Sequence, residues 1–191
     1  MSRTAGRDRD ATRRALLDAA AQVVRERGVS GSLGDVARRA GVSKGGLLYH
    51  FAGKDELLQA LVVDRLERFR GVVLADVDEG DEAPGRLLRA YVRVSIDTAK
   101  DAAAAREELA LIAHLSTVEA VGELARQDAR RWREDLRADG LPDGLRTLVI
   151  AAADGASAQP IWGDEPSADE LEALRERLLA MTSGPRSSGG A

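Results

Sequence analysis

The fold of this chain is decided by one stretch, which reads Val36-Ala37-Arg38-Arg39-Ala40-Gly41-Val42-Ser43-Lys44-Gly45-Gly46-Leu47-Leu48-Tyr49-His50-Phe51. Two short helices that cross steeply need a small residue midway along the first helix, and Ala37 fills that position. The turn between them needs a residue that accepts a positive φ angle, and Gly41 follows four residues later. The residues expected at the crossing are all small or apolar: Val36, Ala40, Val42 and Leu47. The combination predicts a helix-turn-helix.

The helices around this stretch follow from their capping residues and from the spacing of apolar residues. Ser32 and Ser43 precede the two short helices as N-caps, and Gly28 is a suitable C-terminal stop for an earlier helix. Apolar residues recur at helical spacing on both sides of the motif. The sequence thus predicts helices from 10 or 12 to 28, at 33–40, at 44–51 and at 54–75.

The rest of the chain also has helical spacing, and no segment alternates as a strand would. An acidic segment at 76–85 contains Gly80, Pro84 and Gly85, which predicts a loop. Further helices are predicted at about 86–100, 104–116, 118–139, 142–159 and 167–182. We therefore expect an all-α chain. It comprises an N-terminal three-helix helix-turn-helix domain at 1–53, a larger helical domain at 54–183 and a disordered, Ser- and Gly-rich tail at 184–191.

Composition limits the class of protein. Aromatic residues make up only 3% of the chain, which suits packed helices better than sheets. There is no cysteine, so disulfides and thiolate metal sites are excluded. The first ten residues lack the apolar core of a signal peptide, and the longest apolar run, at 148–153, is far too short to span a membrane. These features predict a cytoplasmic protein with no membrane partner.

The charge is distributed unevenly along the chain. Residues 1–54 carry a net charge of +6 and residues 55–191 a net charge of −10, although the total is only −4. A basic N-terminal segment followed by an acidic remainder is expected where one end of a protein meets phosphate groups. An ordinary solvated surface would explain the same counts, and charge alone does not separate the two interpretations.

The motif residues resemble those of the TetR family of bacterial transcriptional regulators. The resemblance continues through Lys54-Asp55-Glu56-Leu57-Leu58, and residues 10–60 fit that family's N-terminal domain throughout. It implies a DNA-binding regulator, most simply a repressor, that binds a near-palindromic double-stranded operator as a homodimer. It also implies a second domain that binds a small-molecule effector and pairs with its twin. The regulatory sign stays open, because binding chemistry is the same in an activator.

The resemblance further implies that the third helix enters the major groove and that flanking residues bind phosphates. Lys44 and Tyr49 are expected on the exposed side of that helix, where they offer donors to base edges and phosphate oxygens. Hydroxyls and free backbone amides at helix N-termini also suit phosphate. We predict eight DNA-binding residues: Ser32, Ser43, Lys44, Gly45, Gly46, Tyr49, His50 and Lys54.

Some of these positions leave alternatives open. Gly45 and Gly46 either allow a close approach of the backbone to the groove or are simply tolerated in a first helical turn. His50 either binds phosphate or packs against the helix crossing. Members of the family commonly carry a phosphate-contacting tyrosine where this chain has Leu48, so Tyr49 is assigned to DNA but not to that particular contact.

For the effector, the informative residues are polar or aromatic side chains that interrupt apolar helices. Four residues meet this description and are the predicted ligand-binding set, although a residue of this kind taken alone is more often an ordinary core or surface residue: Tyr91, His114, Asp128 and Trp132. Small residues concentrate between 146 and 159, where they permit close helix approach. With the leucines of the last helix they predict a four-helix dimer interface or, alternatively, an alanine-rich core helix within one subunit.

Two other classes of protein were weighed against a regulator. An enzyme is disfavoured because the chain has two histidines, no cysteine nucleophile and no glycine-rich loop after a strand. No metal-ligand spacing recurs either, so we predict no catalytic activity, no cofactor and no metal. A helical protein-interaction module would explain the alanine-rich helices but not the capped, basic helix-turn-helix.

Overall fold

The structure is a computed structural model that describes residues 2–163 and 165–183, with the side chains of 8–160, 163 and 165–183. These residues form α-helices, two short 3-10 helices and no strand. The α-helices are α1 Ser2–Arg27, α2 Leu33–Arg39, α3 Lys44–His50, α4 Lys54–Ala75, α5 Arg86–Ala99, α6 Ala102–Leu115, α7 Glu119–Ala138, α8 Asp143–Ala158 and α9 Ala168–Thr182. The 3-10 helices are Gly28–Ser30 and Gln159–Trp162.

The all-α prediction is confirmed, and most helix bounds lie within two residues of those expected from the sequence. The exception is the start of α1, which was predicted at residue 10 or 12 and lies at Ser2. The prediction relied on apolar spacing, and that spacing begins only near Leu16. Residues 2–9 are rich in arginine, a good helix former, which favours a helix even without an apolar face. The predicted tail at 184–191 lies outside the described residues.

The described chain divides into two compact units. The first unit comprises residues up to 67 together with 110–127, and the second comprises 68–109 and the residues from 128 onward. The division falls inside α4, not at its start, and α6 and α7 contribute to both units. The predicted functional boundary between 53 and 54 is a different division of the chain and stays a prediction.

The first unit is built around α1, which buries one apolar stripe among the short helices. Leu16 of α1, Leu47 of α3 and Leu61 of α4 are fully buried in one cluster. The end of α6 and the start of α7 complete this cluster through Leu111 and Val121. The helix-turn-helix is therefore held by residues more than sixty positions away in the sequence.

The second unit is built around α5, which packs against both α8 and α9. Its buried residues cover most of its circumference: Leu88, Arg89, Ala90, Val92, Val94, Ser95, Ile96 and Ala99. Leu171 and Leu178 of α9 join the same core. A helix buried on nearly all sides is expected at the centre of a bundle.

One buried arginine ties the loop before α5 to the end of α9. Arg89 is 6% exposed, and its guanidinium donates to the backbone oxygens of Ala83, Pro84 and Thr182 over 2.6–3.1 Å. It also pairs with Asp81 at 2.6 Å, and this ion pair lowers the pKa of Asp81 against the opposing effect of burial. The arginine thus satisfies backbone groups that the loop leaves without helical partners.

No helix in the described part of the chain is both long enough and apolar enough to cross a membrane.

Candidate functional site

The turn between α2 and α3 has the geometry that a helix-turn-helix requires. Gly41 has φ of +71°, a conformation that residues with a Cβ rarely adopt. The amide of Val42 donates to the oxygen of Ala37 over 3.0 Å, which closes the end of α2. Ala37 itself is 3% exposed. Its small side chain allows the two helices to approach closely, as the sequence predicted.

The two faces of α3 differ sharply. Leu47 is fully buried and Phe51, just after the helix, is 1% exposed, so both anchor the helix to the core. On the opposite face Lys44 is exposed, Leu48 is 43% exposed and Tyr49 is 70% exposed. A tyrosine so exposed gains little from packing, which favours a role in binding. Leu48 was not among the predicted DNA-binding residues, but it shares the outward face.

At the start of α3, Gly45 and Gly46 leave the backbone without side chains. Ser43 caps the helix, and its hydroxyl oxygen accepts from the amide of Gly46 over 3.0 Å. A Cβ added at Gly45 would meet no described atom nearer than that hydroxyl, at 3.8 Å. Internal packing therefore does not require glycine at this position. The open surface agrees with the close-approach interpretation of Gly45 and Gly46.

Ser32 sits in a reciprocal capping box at the start of α2. Its hydroxyl accepts from the amide of Asp35 over 3.1 Å and donates to the Asp35 carboxylate over 2.7 Å. The Ser32 hydrogen bonds, aided by the charges of Arg27 and Arg38, lower the pKa of Asp35 to about 2. The hydroxyl proton of Ser32 is thus already used, and a carboxylate stands beside it. A phosphate contact by Ser32 would first have to displace Asp35.

Two arginines of α1 lie on the rings at the end of α3. The guanidinium of Arg9 is 5.4 Å from the ring centroid of Tyr49, and that of Arg13 is 5.1 Å from the ring centroid of Phe51. Such distances are within the range of cation–π attraction. The half-buried ring of His50 contacts both aromatic rings edge-on or tilted, at 5.4 and 6.5 Å. His50 is therefore partly packed, as one of its two interpretations expected.

The positive charges around the helix-turn-helix include two groups that differ in their partners. One group is paired with carboxylates: Arg14 with Asp64 and Arg39 with Glu26, each at 2.6 Å, and Arg27 and Arg38 with Asp35 at 3.0 and 3.2 Å. The other group has no carboxylate partner among the described side chains, and it consists of Arg9, Arg13, Lys44 and Lys54. The charges of Arg9, Arg13, Lys44 and Lys54 are thus not neutralised by a carboxylate of the described side chains.

Sequence reasoning missed Arg9 and Arg13. Their spacing of four residues, which places both on one face of a helix, was a usable signal. It was overlooked because the predicted start of α1, at 10 or 12, left Arg9 outside the helix. Their pairing with the rings depends on the crossing of α1 over α3, which no local pattern reports.

Three of the four predicted effector residues come together in the second unit. The rings of Tyr91 and Trp132 are 5.3 Å apart, and Phe69 joins both at 5.6 and 6.0 Å. The Tyr91 hydroxyl donates to Asp154 over 2.6 Å. Burial first, and then this carboxylate, raise the pKa of Tyr91 above its ordinary value, with a smaller contribution from the charge of Asp128.

The fourth predicted residue, His114, lies elsewhere. It belongs to the first unit, where its ring stands 3.3 Å from the position that a Cβ on Gly28 would occupy. Gly28 has φ of +64° and ends α1, so His114 packs against a turn and not within the ring cluster. The cluster instead includes three residues that the sequence did not indicate as a site: Phe69, Arg70 and Asp154.

Two protein-family models match this chain. Residues 16–61 match the model described as bacterial regulatory proteins, tetR family, and residues 85–183 match a tetracyclin repressor-like C-terminal domain. The first match covers the helix-turn-helix, and the second covers Tyr91, Trp132 and Asp154 of the ring cluster. The chain belongs to the TetR family. The resemblance drawn from the sequence motif is therefore confirmed.

Individual relatives agree with this placement. Over 66 residues the chain is 41% identical to the HTH-type transcriptional regulator SrpR of Pseudomonas putida, a stretch that is 34% of this chain and 31% of that protein. The chain thus matches only about a third of the relative's length. A TetR family member from Streptomyces coelicolor A3 has 29% identity and a TM-score of 0.66, covering 90% of this chain and 98% of that chain. The multidrug binding protein EbrR, solved with imidazole, also has 29% identity, with a TM-score of 0.65 and 92% of each chain covered.

Proposed function

We propose that this TetR family protein is a transcriptional repressor that binds a near-palindromic operator as a homodimer and releases it on binding a small-molecule effector. The observation that carries the proposal is the outward face of α3. It is anchored from behind by Leu47, exposes Tyr49 and Lys44, and is flanked by arginines without carboxylate partners among the described side chains. These are the donors and positive charges that a groove and its phosphates require.

Within this proposal the residues divide by role. Lys44, Gly45, Gly46 and Tyr49 face the base edges of the major groove. The phosphates are bound by the hydroxyl of Ser43 and by the cations and ring donors around α3, which are His50, Lys54, Arg9 and Arg13. Ser32 takes part only if its hydroxyl leaves Asp35. Residues 1–53 act as the DNA reader and 54–183 as the effector and pairing domain.

Pairing of two copies is proposed to use the outward face of α8. Leu148 is 55% exposed, and Ala151 and Gly155 follow it at helical spacing, also exposed. Two small residues beside an exposed leucine permit close approach of a second helix. Ala153 and Ala156 point the other way and are buried within the subunit. The proposal thus assigns the exposed small residues of α8 to pairing and the buried ones to the core of the subunit.

The effector is proposed to act on α7. This helix supplies Val121 to the core of the first unit and Trp132 to the ring cluster of the second. A ligand that binds the protein more tightly when α7 has one placement than when it has another shifts the equilibrium between conformations that fit the operator and conformations that do not. A typical coupling of about 1–3 kcal/mol lowers operator affinity some 5- to 150-fold.

The test begins with selection of an operator from random DNA by the full-length protein, followed by gel shift at several salt concentrations. We expect an inverted repeat whose affinity falls steeply with salt. Lys44→Ala and Tyr49→Ala should weaken binding and relax base preference, whereas Lys54→Ala should weaken all sequences about equally. Failure to enrich any sequence, together with an affinity independent of salt, would exclude DNA binding.

The pairing surface is tested separately. Ala151→Arg with Gly155→Arg should give monomers in analytical ultracentrifugation and should abolish tight operator binding, since a half-site alone buries little surface. Ala125→Arg, at an exposed position of α7, is the matched control and should remain dimeric. If the double variant is still a dimer, the interface lies on another face. Transcription in vitro from the selected operator then distinguishes repression from activation.

A further inference from the structure

A groove of about 710 Å³ opens in the second unit beside the ring cluster. Its apolar wall is formed by Leu74, Val77, Leu87 and Ala138, and Leu74 is 49% exposed. This volume falls within the range of cavities that hold small organic ligands. An exposed leucine in such a wall gains from being covered by an apolar body.

The groove ends on a buried cation. Arg70 lines it and is 5% exposed, with its guanidinium 4.6 Å from the ring centroid of Trp132. The same guanidinium donates to the carboxylate of Asp135, which also lines the groove. One ion pair with a buried cation therefore adjoins the apolar residues of the groove.

The two partners of this pair differ in how easily they can leave it. The Arg70 side chain is 6% exposed and is held by the indole face, so moving it would break the ring contact. The Asp135 side chain is 39% exposed and would regain water on turning outward. Because a buried charge is destabilised when it loses an ion-pair partner, an anion in the place that Asp135 gives up restores that contact to Arg70. A ligand can therefore exchange with the Asp135 carboxylate while Arg70 stays in place.

The other charges of the groove do not alter this balance. The Asp139 carboxylate accepts from the amides of Leu87 and Leu88 over 3.2 and 3.0 Å, so it is used as the cap of α5. Glu82 and Arg86 have opposite charges and are both exposed. Arg70 is thus the buried cation that a ligand reaches from this groove.

We propose that the effector is an amphipathic organic carboxylate, whose anionic end replaces Asp135 on Arg70 and whose apolar body covers Leu74 and Val77. The planar guanidinium suits a carboxylate, since two parallel N–H donors can meet its two oxygens. The inference rests on the proposed function in naming this ligand the effector. The site itself depends only on the groove and the ion pair.

The test uses three probes with one alkyl chain and different ends: octanoate, octan-1-ol and octylammonium. Calorimetric titration of the full-length protein without DNA should show octanoate binding about tenfold more tightly than octan-1-ol, as a charge-assisted contact requires. Octylammonium should bind most weakly, because its charge repels Arg70. Equal affinity for octanoate and octan-1-ol, or tightest binding of octylammonium, would overturn the proposal.

Two variants examine the exchange of partners. Asp135→Asn removes the competing anion and should tighten octanoate binding several-fold without changing octan-1-ol binding. Arg70→Gln should abolish the preference for octanoate, whereas Arg86→Gln at the rim should retain most of it. If Arg70→Gln does not fold, Asp135→Asn alone decides, and an unchanged ratio of octanoate to octan-1-ol affinity in it contradicts the proposal.

Operator release is measured separately, by gel shift with added octanoate. Binding without release would leave the carboxylate site in place and remove its role as effector site. Release that persists unchanged in a folded Arg70→Gln variant would show control through another site. A protein that binds octanoate but no DNA would contradict the proposed function alone.

Discussion

The two compact units differ in where they keep their charges. In the first, the described residues that are buried are all apolar, such as Leu16, and the arginines of the ion pairs described above stay exposed, as for Arg14 with Asp64. In the second, five polar or charged residues of the described chain are buried, and these are Arg70, Arg89, Ser95, Arg146 and Thr182. Among the described residues, the first unit buries no charged residue, whereas the second unit buries three arginines.

This difference fits two kinds of partner. A polyanion such as DNA remains outside the protein, so the reader needs cations that are exposed and not already neutralised. A small ligand is enclosed, so its partners must be desolvated and fixed in place before it binds. The contrast implies that similar substitutions in the two units should have different consequences.

The largest effect is expected from removing a buried arginine. Arg89→Met should lower the free energy of unfolding by about 3 kcal/mol, because Asp81 and three carbonyl groups lose their partner in a buried site. Arg39→Met, which breaks the exposed pair with Glu26 in the first unit, should cause a far smaller loss. Urea unfolding followed by circular dichroism measures both. Equal losses of unfolding free energy would mean that the contacts of the buried arginine stabilise the protein no more than the exposed ion pair does.

A second comparison concerns glycine. Gly41→Ala should lower the free energy of unfolding by about 1–2 kcal/mol, since φ of +71° is unfavourable for alanine. Gly71→Ala, at an exposed position inside α4 with open space around it, should instead raise it by up to about 1 kcal/mol. The same unfolding assay tests the pair. A neutral Gly41→Ala would remove the backbone reason for glycine in the turn.

Two adjacent arginines test whether pairing decides which charges meet DNA. Arg13→Gln should lower the slope of log affinity against log salt by about one unit, because this cation lies on Phe51 and has no carboxylate partner among the described side chains. Arg14→Gln should leave the slope unchanged, since Arg14 is already neutralised by Asp64. Fluorescence anisotropy on the selected operator at several salt concentrations gives both slopes. A larger change of slope for Arg14→Gln than for Arg13→Gln would contradict the view that the arginine without a carboxylate partner is the one that meets phosphate.

The smallest effect is expected in the pH dependence of the two capping boxes. The pKa of Asp35 is held at about 2, below its ordinary 3.8, so its stabilising contribution is present above pH 4 and is lost as pH falls toward 2. The stability difference between the native chain and Asp35→Asn should shrink over that interval. Glu170→Gln, in the matching box of α9, should behave in the same direction with a smaller change. The pKa of Glu170 is lowered by Ser167 without help from arginines.

A stability difference that does not change with pH at Asp35 would show that the hydrogen bonds of the box persist when the carboxyl is protonated. Thermal unfolding between pH 2 and 7 distinguishes these outcomes.

Local sequence was sufficient for most of the helices and for the turn. Ser32, Ser43 and Gly41 act through backbone groups within four residues of themselves, so their roles can be read directly from the chain. The same holds for the outward position of Lys44 and Tyr49, which follows from helical periodicity once Leu47 is known to face the core. The start of α1 was the exception, because a polar helix leaves no apolar stripe to read.

The ring cluster of the second unit was only partly predictable from the sequence. Tyr91 and Trp132 stand out in apolar helices, and the structure brings their rings together. His114 has the same appearance in sequence and packs against Gly28 instead, in the other unit. In sequence Arg70 looks like the two other arginines of α4, and only its burial beside Trp132 distinguishes it.

The sequence by itself determined the helices, their caps, the turn at Gly41 and the family to which the chain belongs. These depend on hydrogen bonds and side-chain spacing within one or two helical turns. Only the tertiary structure decided which arginines pair with a carboxylate, which have no carboxylate partner among the described side chains, and which one is buried in the groove. Arg13 and Arg14 are neighbours in the chain yet lie on Phe51 and Asp64 respectively. The physical reason is that the energy of a charge depends on burial and on partners distant in sequence, and these are set only when the helices pack.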